Sequence, residues 1–327
     1  MVFRTFEERC WARDTVAALP HDRSRLLVEQ GIPTELFVNS IDRWIETMIA
    51  DDRSGEDIVP RIVNAKVIAK EIGVLCGHLV IDRLIQNYTN NCSLQWAVEE
   101  GGRVEPRDIV LLINGDSSEI LKIERVLLNI LGKLSGITTS TSKWVSASEN
   151  IGIACTRKTE WGLLDKWAVH IGGGLTHRLD RKDALMLKEN DFASAKKICE
   201  SIIETIGRVI SEIDLRENSS FIIVEVQDEE QAITAAKMWM KLQNRNENIQ
   251  PIVLLLDNME IAEINSTIIK LESLDLRKWC ILEGSGGISI DSISKWDKSG
   301  VDLISTSAVN RGAPPVDFSL IIEEAEK

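Results

Sequence analysis

The sequence lacks the patterns of several protein classes. None of its six cysteines forms a C-x-x-C pair or lies beside a histidine at zinc spacing, so buried free thiols are expected. No apolar run approaches the roughly 18 to 20 residues that span a bilayer. The first nine residues carry charges where a signal peptide has an apolar core. We therefore expect a cytoplasmic protein with no membrane partner.

The charge balance also argues against a basic surface. The chain has 51 acidic residues against 38 Lys and Arg, a net charge of −13. Nucleic-acid binding requires a basic face, so no nucleic-acid partner is expected, and local clusters of Arg and Lys become informative. With 327 residues and 44% apolar content, the chain is typical of a globular protein with a small domain and a larger one.

Two patterns of apolar residues divide the chain. The first half mixes helical segments (34–50, 77–88, 117–134) with strands (63–70, 93–98, 109–113), which is typical of an α+β domain. The second half alternates short apolar strands with helices, which indicates a parallel sheet covered on its faces. Its predicted strands are Ile151–Cys155, Ala184–Leu187, Phe221–Val226, Ile252–Leu256, Cys280–Leu282 and Val301–Ile304, and its predicted helices are 193–213, 229–243 and 259–271.

Polar groups follow nearly every strand of the second half. An open doubly wound sheet concentrates its site at one switch point, usually with a G-x-G-x-x-G turn, and no such turn follows the first strand. A barrel gathers groups from the carboxyl ends of many strands into one mouth. The distribution favours the barrel over the open sheet. The groups are Arg157-Lys158, Lys188, Glu225, Asp257, Glu283-Gly284-Ser285 and Ser305-Thr306-Ser307.

These groups suggest a site for a polyanion. Arginine can hold a carboxylate bidentately, and lysine suits phosphate or pyrophosphate. Glu225 and Asp257 suit Mg²⁺ held jointly with ligand phosphates, although either acid could instead cap the next helix. The turn from Glu283 to Ile288 is a candidate phosphate cradle or a simple tight turn. A solvated loop remains the alternative for Arg157-Lys158.

An ordered set of segments from about Gly55 to Leu320 resembles one family, the quinolinate phosphoribosyltransferases (decarboxylating nicotinate-nucleotide pyrophosphorylases). The set is far more specific than any single motif. The segments are Glu124-Arg125 through Asn129, Ser135-Gly136-Ile137, Thr156-Arg157-Lys158-Thr159, Lys166 through Val169, Gly172-Gly173-Gly174, His177-Arg178, Lys188, Leu256-Asp257-Asn258-Met259, Ser285-Gly286-Gly287-Ile288 and Val301-Asp302-Leu303-Ile304-Ser305.

The resemblance implies an α/β fold in which an N-terminal α+β sandwich domain precedes an incomplete TIM-like α/β barrel. The sandwich would comprise residues 1–133, with a helical extension, and the returning strand in 313–327; the barrel would comprise 134–312. It further implies a homodimer or higher oligomer. The substrates would be phosphoribosyl pyrophosphate and a small aromatic carboxylate, quinolinate, with Mg²⁺ as cofactor and CO₂ as a product.

The resemblance also implies roles for individual residues. The catalytic set would be Lys158, Lys188, Glu225 and Asp257, the last two as metal ligands. Substrate binding would fall to Arg125 (reaching the partner subunit), Thr156, Arg157, Lys158, His177, Arg178 and Lys188. Phosphate binding would fall to Ser285, Gly286, Gly287, Ser307 and Arg311.

The sequence departs from the family pattern at several positions near the site. Glu160-Trp161 stands where Thr-Pro is usual, and Asp191 stands where histidine is usual. These departures leave two alternatives open: a paralogue that uses another anionic aromatic without decarboxylation, and a noncatalytic metabolite-binding or assembly subunit. The region before about Asp52 exceeds the family core, and we interpret it as a helical extension at a subunit interface.

Overall fold

The computed structural model describes residues 19–52, 61–214, 220–246 and 250–323. Chain contacts divide it into two compact units. The first, the barrel unit, comprises the segment ending at Asp22 with Trp144–Arg157 and His177–Thr306. The second, the sandwich unit, comprises Arg23–Lys143, Lys158–Thr176 and the segment beginning at Ser307.

The secondary structure of the described residues is as follows. The strands are β1 (Val28–Glu29), β2 (Ile32–Pro33), β3 (Ile62–Ala69), β4 (Gly73–Val74), β5 (Ser93–Trp96), β6 (Arg103–Val104), β7 (Ile109–Asp116), β8 (Gly152–Ala154), β9 (Leu185–Leu187), β10 (Ile222–Val226), β11 (Ile252–Asp257), β12 (Cys280–Ser285), β13 (Leu303–Ser305) and β14 (Phe318–Ile322). The α-helices are α1 (Glu35–Asp51), α2 (His78–Tyr88), α3 (Ser117–Ala147), α4 (Leu163–Ile171), α5 (Glu189–Ala195), α6 (Ile202–Ser211), α7 (Glu229–Arg245), α8 (Ile261–Ser273) and α9 (Ile293–Trp296).

The barrel unit contains a six-stranded parallel sheet in the order β8-β13-β12-β11-β10-β9. Its strands read as continuous apolar runs because both faces are covered; the first five residues of β11 are all buried. A cluster on one face consists of Ala184, Phe221, Ile223, Val253 and Leu255. The predicted α/β class with an incomplete TIM-like barrel is thus confirmed, and all six predicted strands form.

One predicted helix of the barrel unit is wrong. The structure divides 193–213 into α5 and α6, because Lys196 is extended and Ser201 begins a new helix. The Ser201 hydroxyl accepts from the Glu204 N–H, and the Glu204 carboxylate accepts from the Ser201 N–H at 2.7 Å. This capping box satisfies amide groups that would otherwise lack partners at the start of α6, so a continuous helix is not required.

The sandwich unit contains an antiparallel sheet in the order β14-β3-β7-β5. Helix α3 begins where 117–134 was predicted and continues to Ala147. At Gly136, a Cβ would lie 2.2 Å from the carbonyl oxygen of Pro314, so the absence of a side chain lets the C-terminal segment approach α3 closely. The returning strand that the family resemblance implies within 313–327 forms as β14 beside β3.

The cysteines of the described residues are free. Cys76, Cys155 and Cys280 are buried as expected, and burial raises the pKa of the Cys280 thiol to about 12. Cys199 is exposed, which corrects the expectation of burial at that position. Within the described ranges, every helix is too short or insufficiently apolar to cross a membrane.

Candidate active site

Three predicted residues lie at the carboxyl ends of adjacent strands in the barrel unit. Glu225 is the fourth residue of β10, and Asp257 and Ser285 end β11 and β12. Glu225 pairs in register with Leu255, and Asp257 with Ser285. Side chains two residues apart on a strand share a face, so Glu225, Asp257 and Ser285 project from the same face of the sheet. The structure therefore brings these three groups together at one end of the strands.

Neither carboxylate serves as a helix cap. Asp228 caps α7, with its Oδ1 accepting the Gln231 N–H at 2.8 Å, and Glu260 occupies the N-cap position of α8. Glu225 instead accepts a hydrogen bond from the Lys188 ammonium. The helix-capping alternative for the two strand-end acids is therefore excluded, and Lys188, another predicted site residue, contacts one of these acids.

Asn258 orients the acid at the end of β11. Its amide Nδ2 donates to Asp257 Oδ2 at 3.0 Å, and its backbone N–H donates to the Ser285 carbonyl at 3.0 Å. Gly286 follows with φ of +108°, and Gly287 with φ of +56°. A Cβ at Gly286 would lie 2.3 Å from Asn258 Oδ1, so only glycine fits there. The turn is closely packed on one side, whereas among the described residues no atom beyond the adjacent backbone lies within 4 Å of a Cβ at Gly287.

Two arginines of the barrel unit lie within electrostatic reach of each other. Arg157 follows β8 and is exposed, and Thr156 before it is half-buried. Arg178, in contrast, is only 6% exposed. The Arg178 guanidinium donates to the Ala184 carbonyl at 3.0 Å. Burial, followed by the charges of Arg157 and Arg181, lowers the pKa of Arg178 from its ordinary value. Such repulsion is offset when an anion binds between the cations.

His177 contacts both the backbone of Arg178 and the buried carboxylate of Glu283. Its Nδ1 accepts the Arg178 backbone N–H at 2.7 Å, and its Nε2 lies 3.0 Å from Glu283 Oε1. Glu283 was expected in a phosphate cradle; it is instead fully buried within β12. Its second oxygen lies 3.1 Å from Nε2 of His21, a residue for which the sequence offered no functional signal.

Four predicted residues belong to the sandwich unit. Lys158 and Arg311 are exposed, Arg125 is exposed on α3, and Ser307 is half-buried. The backbone of Lys158 is held by the fully buried Asn310, whose Nδ2 donates to the Lys158 carbonyl and to Asp165 Oδ2, each at 3.0 Å. Asn310 was not among the residues predicted from the sequence. Its burial in the structure identifies it as the residue that holds the Lys158 backbone.

The departures from the family pattern have local partners. Glu160 accepts from the Lys133 ammonium, and Trp161 stacks on Trp44 with ring centroids 6.0 Å apart. Asp191 accepts the Lys188 backbone N–H at 2.9 Å and so supports the first turn of α5. These three side chains therefore make structural contacts within the protein.

One group of side chains in the described part of the chain has the types and spacing of a metal site. The ligand atoms of His21, His177 and Glu283 all lie within 4.8 Å of one another, and all three residues are buried. Glu225 and Asp257 were the predicted metal ligands, and as hard oxygen donors they suit Mg²⁺, whereas the imidazole-rich group would suit zinc.

Comparison with known proteins covers both units. A model described as quinolinate phosphoribosyl transferase, C-terminal domain, matches residues 137–321, and the corresponding N-terminal domain model matches 49–135. A probable nicotinate-nucleotide pyrophosphorylase (carboxylating) of Methanothermobacter thermautotrophicus is 33% identical over 291 residues, which is 85% of this chain and 97% of the relative. A Methanocaldococcus jannaschii protein of the same description is 34% identical over 284 residues, covering 83% and 91%.

Solved structures agree with these matches. The nicotinate-nucleotide pyrophosphorylase from Francisella tularensis is similar with a TM-score of 0.73 and 26% identity, covering 87% of this chain and 96% of that one. NadC from Streptococcus pyogenes is similar with a TM-score of 0.73 and 27% identity, covering 88% and 99%. The family-model matches span most of the described residues, and the chain belongs to the quinolinate phosphoribosyltransferase family.

Proposed function

We propose that this protein transfers the phosphoribosyl group of phosphoribosyl pyrophosphate to quinolinate and releases CO₂, forming nicotinate mononucleotide and pyrophosphate, a step of NAD biosynthesis. The observation that carries the proposal is the arrangement of Arg157 and Arg178 in the same unit as the strand-end acids Glu225 and Asp257. The relatives named above carry the same activity in their names.

The two arginines are proposed to bind the acceptor. A dicarboxylate would neutralise both guanidiniums, and planar guanidinium groups match carboxylates in geometry. With the ring so held, the pyridine nitrogen attacks the anomeric carbon, and the bond from that carbon to the pyrophosphate oxygen breaks with its electron pair. Fixed cations align the reactants and stabilise the departing charge.

Decarboxylation follows from the charge that the ring acquires. After the transfer, the ring nitrogen is quaternary and positive. The bond between C2 and its carboxylate breaks, CO₂ departs, and the electron pair remains on C2 until it forms a C–H bond with a proton from water. No covalent intermediate with the protein is required, and Arg178 remains positioned to hold the second carboxylate.

Mg²⁺ is proposed at Glu225 and Asp257. Two carboxylates on one face of adjacent strands fit a hard cation that is bound jointly with phosphate oxygens. When bound, the ion would supply positive charge to the leaving pyrophosphate. Lys188, which contacts Glu225, would contribute a further positive charge beside these acids.

The Ser285-Gly286-Gly287 turn is proposed to bind the 5-phosphate. Its positive φ values at both glycines turn backbone N–H groups in a manner typical of anion-binding turns. Roles for Lys158, Ser307 and Arg311, and the reach of Arg125 into a partner subunit of a homodimer or larger oligomer, remain predictions of the family resemblance. A cytoplasmic location is likewise a prediction.

An assay of the purified protein tests the proposal. The protein is incubated with phosphoribosyl pyrophosphate, Mg²⁺ and ¹⁴C-carboxyl quinolinate, and nicotinate mononucleotide and ¹⁴CO₂ are measured. We expect equal amounts of both products. Product from nicotinate or another aromatic acid without CO₂ would favour the paralogue, and no pyrophosphate release with any acceptor would favour a noncatalytic protein.

A further inference from the structure

The interior of the barrel unit contains a carboxylate held between two imidazoles. Glu283 and His21 are 0% exposed, and His177 is 4% exposed. Glu283 Oε1 lies 3.0 Å from His177 Nε2, and Oε2 lies 3.1 Å from His21 Nε2. A buried charge is costly unless its oxygens are hydrogen-bonded, and here each oxygen has an imidazole partner.

The directions of these hydrogen bonds follow from one backbone contact. The Arg178 N–H can only donate, so Nδ1 of His177, at 2.7 Å, must accept. The ring proton of His177 therefore lies on Nε2 and is donated to Glu283. Although burial alone would raise the pKa of Glu283, the interactions with His177 and His21, hydrogen bonds among them, outweigh burial and hold this pKa well below its usual range. An ionised carboxylate can only accept, so His21 Nε2 is also a donor.

Ring contacts hold His21 in this position. Its ring packs edge-on against that of His177, with centroids 5.1 Å apart and an interplanar angle of 78°. The ring of Phe221 lies 5.1 Å away on another side. Phe221 also belongs to the apolar cluster on the face of the parallel sheet, so His21 is fixed against a rigid surface.

We propose that His21 is a positioning residue for the acceptor-binding arginine, acting through Glu283 and His177. His21 fixes one carboxylate oxygen, the other oxygen fixes the tautomer and orientation of His177, and His177 receives the backbone N–H of Arg178. Both ring nitrogens of His177 are thus engaged within the protein, which assigns to His177 support of Arg178 rather than direct contact with the substrate. The expected effect on acceptor binding rests on the proposed function, whereas the series of hydrogen bonds from His21 to Arg178 does not.

A buried zinc site is the competing explanation for the same three side chains. Zinc would need an unshared electron pair on one ring nitrogen of each histidine. The Arg178 N–H occupies Nδ1 of His177, which keeps a proton on Nε2 and leaves that atom unsuited to a metal. The hydrogen bonding therefore favours the chain of donors and acceptors.

Nuclear magnetic resonance of the histidine rings tests the chain without any assay of activity. The protein has four histidines, so ¹⁵N-histidine labelling gives few signals. We expect His177 to show a protonated Nε2 and an unprotonated Nδ1. In His21→Ala, the His177 Nε2 proton and the Arg178 amide proton should both shift, and His21→Gln, whose amide can still donate to Glu283, should restore both signals.

Calorimetric binding of quinolinate and of phosphoribosyl pyrophosphate tests the consequence. His21→Ala should weaken quinolinate binding by about tenfold, the effect of losing one hydrogen bond to a charged group, and leave phosphoribosyl pyrophosphate binding unchanged. His21→Gln should bind quinolinate within about twofold of wild type. His78→Ala is the matched control, because His78 is a partly buried histidine of the sandwich unit that stacks on Trp96, and both affinities should stay at the wild-type value.

Several results would overturn the proposal. A lower melting temperature in His21→Ala with unchanged His177 and Arg178 signals would show a purely structural role. Stoichiometric Zn²⁺ binding that His21→Gln abolishes would show a metal site. If wild type binds no quinolinate, the proposed function fails. The resonance measurements alone then decide whether the hydrogen bonds link His21 to Arg178 through Glu283 and His177.

Discussion

The backbone of Gly286 lies against the side chain of Asn258. A Cβ at Gly286 would be 2.3 Å from Asn258 Oδ1, and the Nδ2 of the same amide donates to Asp257. The turn after β12 and the acid at the end of β11 are therefore linked through one side chain. A change on either side of this contact should affect the other.

The first prediction concerns Gly286→Ala. The new Cβ would displace Asn258, and alanine would be strained at φ of +108°. We expect a loss of about 2 kcal/mol in the free energy of unfolding and a rise of about tenfold in KM for phosphoribosyl pyrophosphate. Gly31→Ala is the control, since Gly31 has φ of +81° and open space around a Cβ, and it should cost stability only. An unchanged KM in Gly286→Ala would argue against a phosphate-binding turn.

Arg157→Ala tests the acceptor site. Without its guanidinium, one of the two closely placed cations is lost, and we expect kcat/KM for quinolinate to fall by at least about 100-fold. Arg157→Lys should recover only part of this loss because it retains the charge without the bidentate geometry. Arg181→Ala, a neighbouring exposed arginine, should stay within about threefold of wild type. Wild-type kcat/KM in Arg157→Ala would remove the carboxylate-binding assignment.

Glu283 should make stability depend on pH in the acid range. Because its pKa is lowered on folding, the unfolded chain binds this proton more readily than the native protein. Its stabilisation is present above the ordinary glutamate pKa, about 4.3, and is lost as the pH falls further. As the pH is lowered from about 5 to about 3, the melting temperature of Glu283→Gln should fall less steeply than that of wild type. The same slope as in wild type would show that the pKa of Glu283 does not change on folding.

Asn310→Ala should destabilise the sandwich unit. The mutation removes the amide that donates to the Lys158 carbonyl and to Asp165 Oδ2, which keeps the Glu160 N–H as its other donor. We expect the free energy of unfolding in urea to fall by about 1 to 3 kcal/mol. Asn246→Ala removes an amide that donates to the Leu242 carbonyl at the exposed end of α7, and it should change stability by less than about 0.5 kcal/mol. Equal effects of the two mutations would contradict the importance of burial.

Local sequence patterns were sufficient for most elements of the fold. Apolar runs such as Ile252–Leu256 indicate strands that are covered on both faces, and alternation with amphipathic helices indicates a parallel sheet. The position of Asp257 at the end of such a run placed it correctly beside Ser285. Helix ends were less predictable, because the capping box at Ser201 interrupts an otherwise helical apolar pattern.

The sequence by itself determined the barrel strands, the polar residues at their ends and the family. Only the tertiary structure decided that Glu283 is buried between His177 and His21, because the partners of a carboxylate depend on which distant segments fold against it. His21 and Glu283 are separated by 262 positions, and no local periodicity relates them. The physical reason is burial, because a carboxylate that is removed from water requires hydrogen-bond donors. The fold supplies one of the two donors, His21, from the most distant part of the described chain.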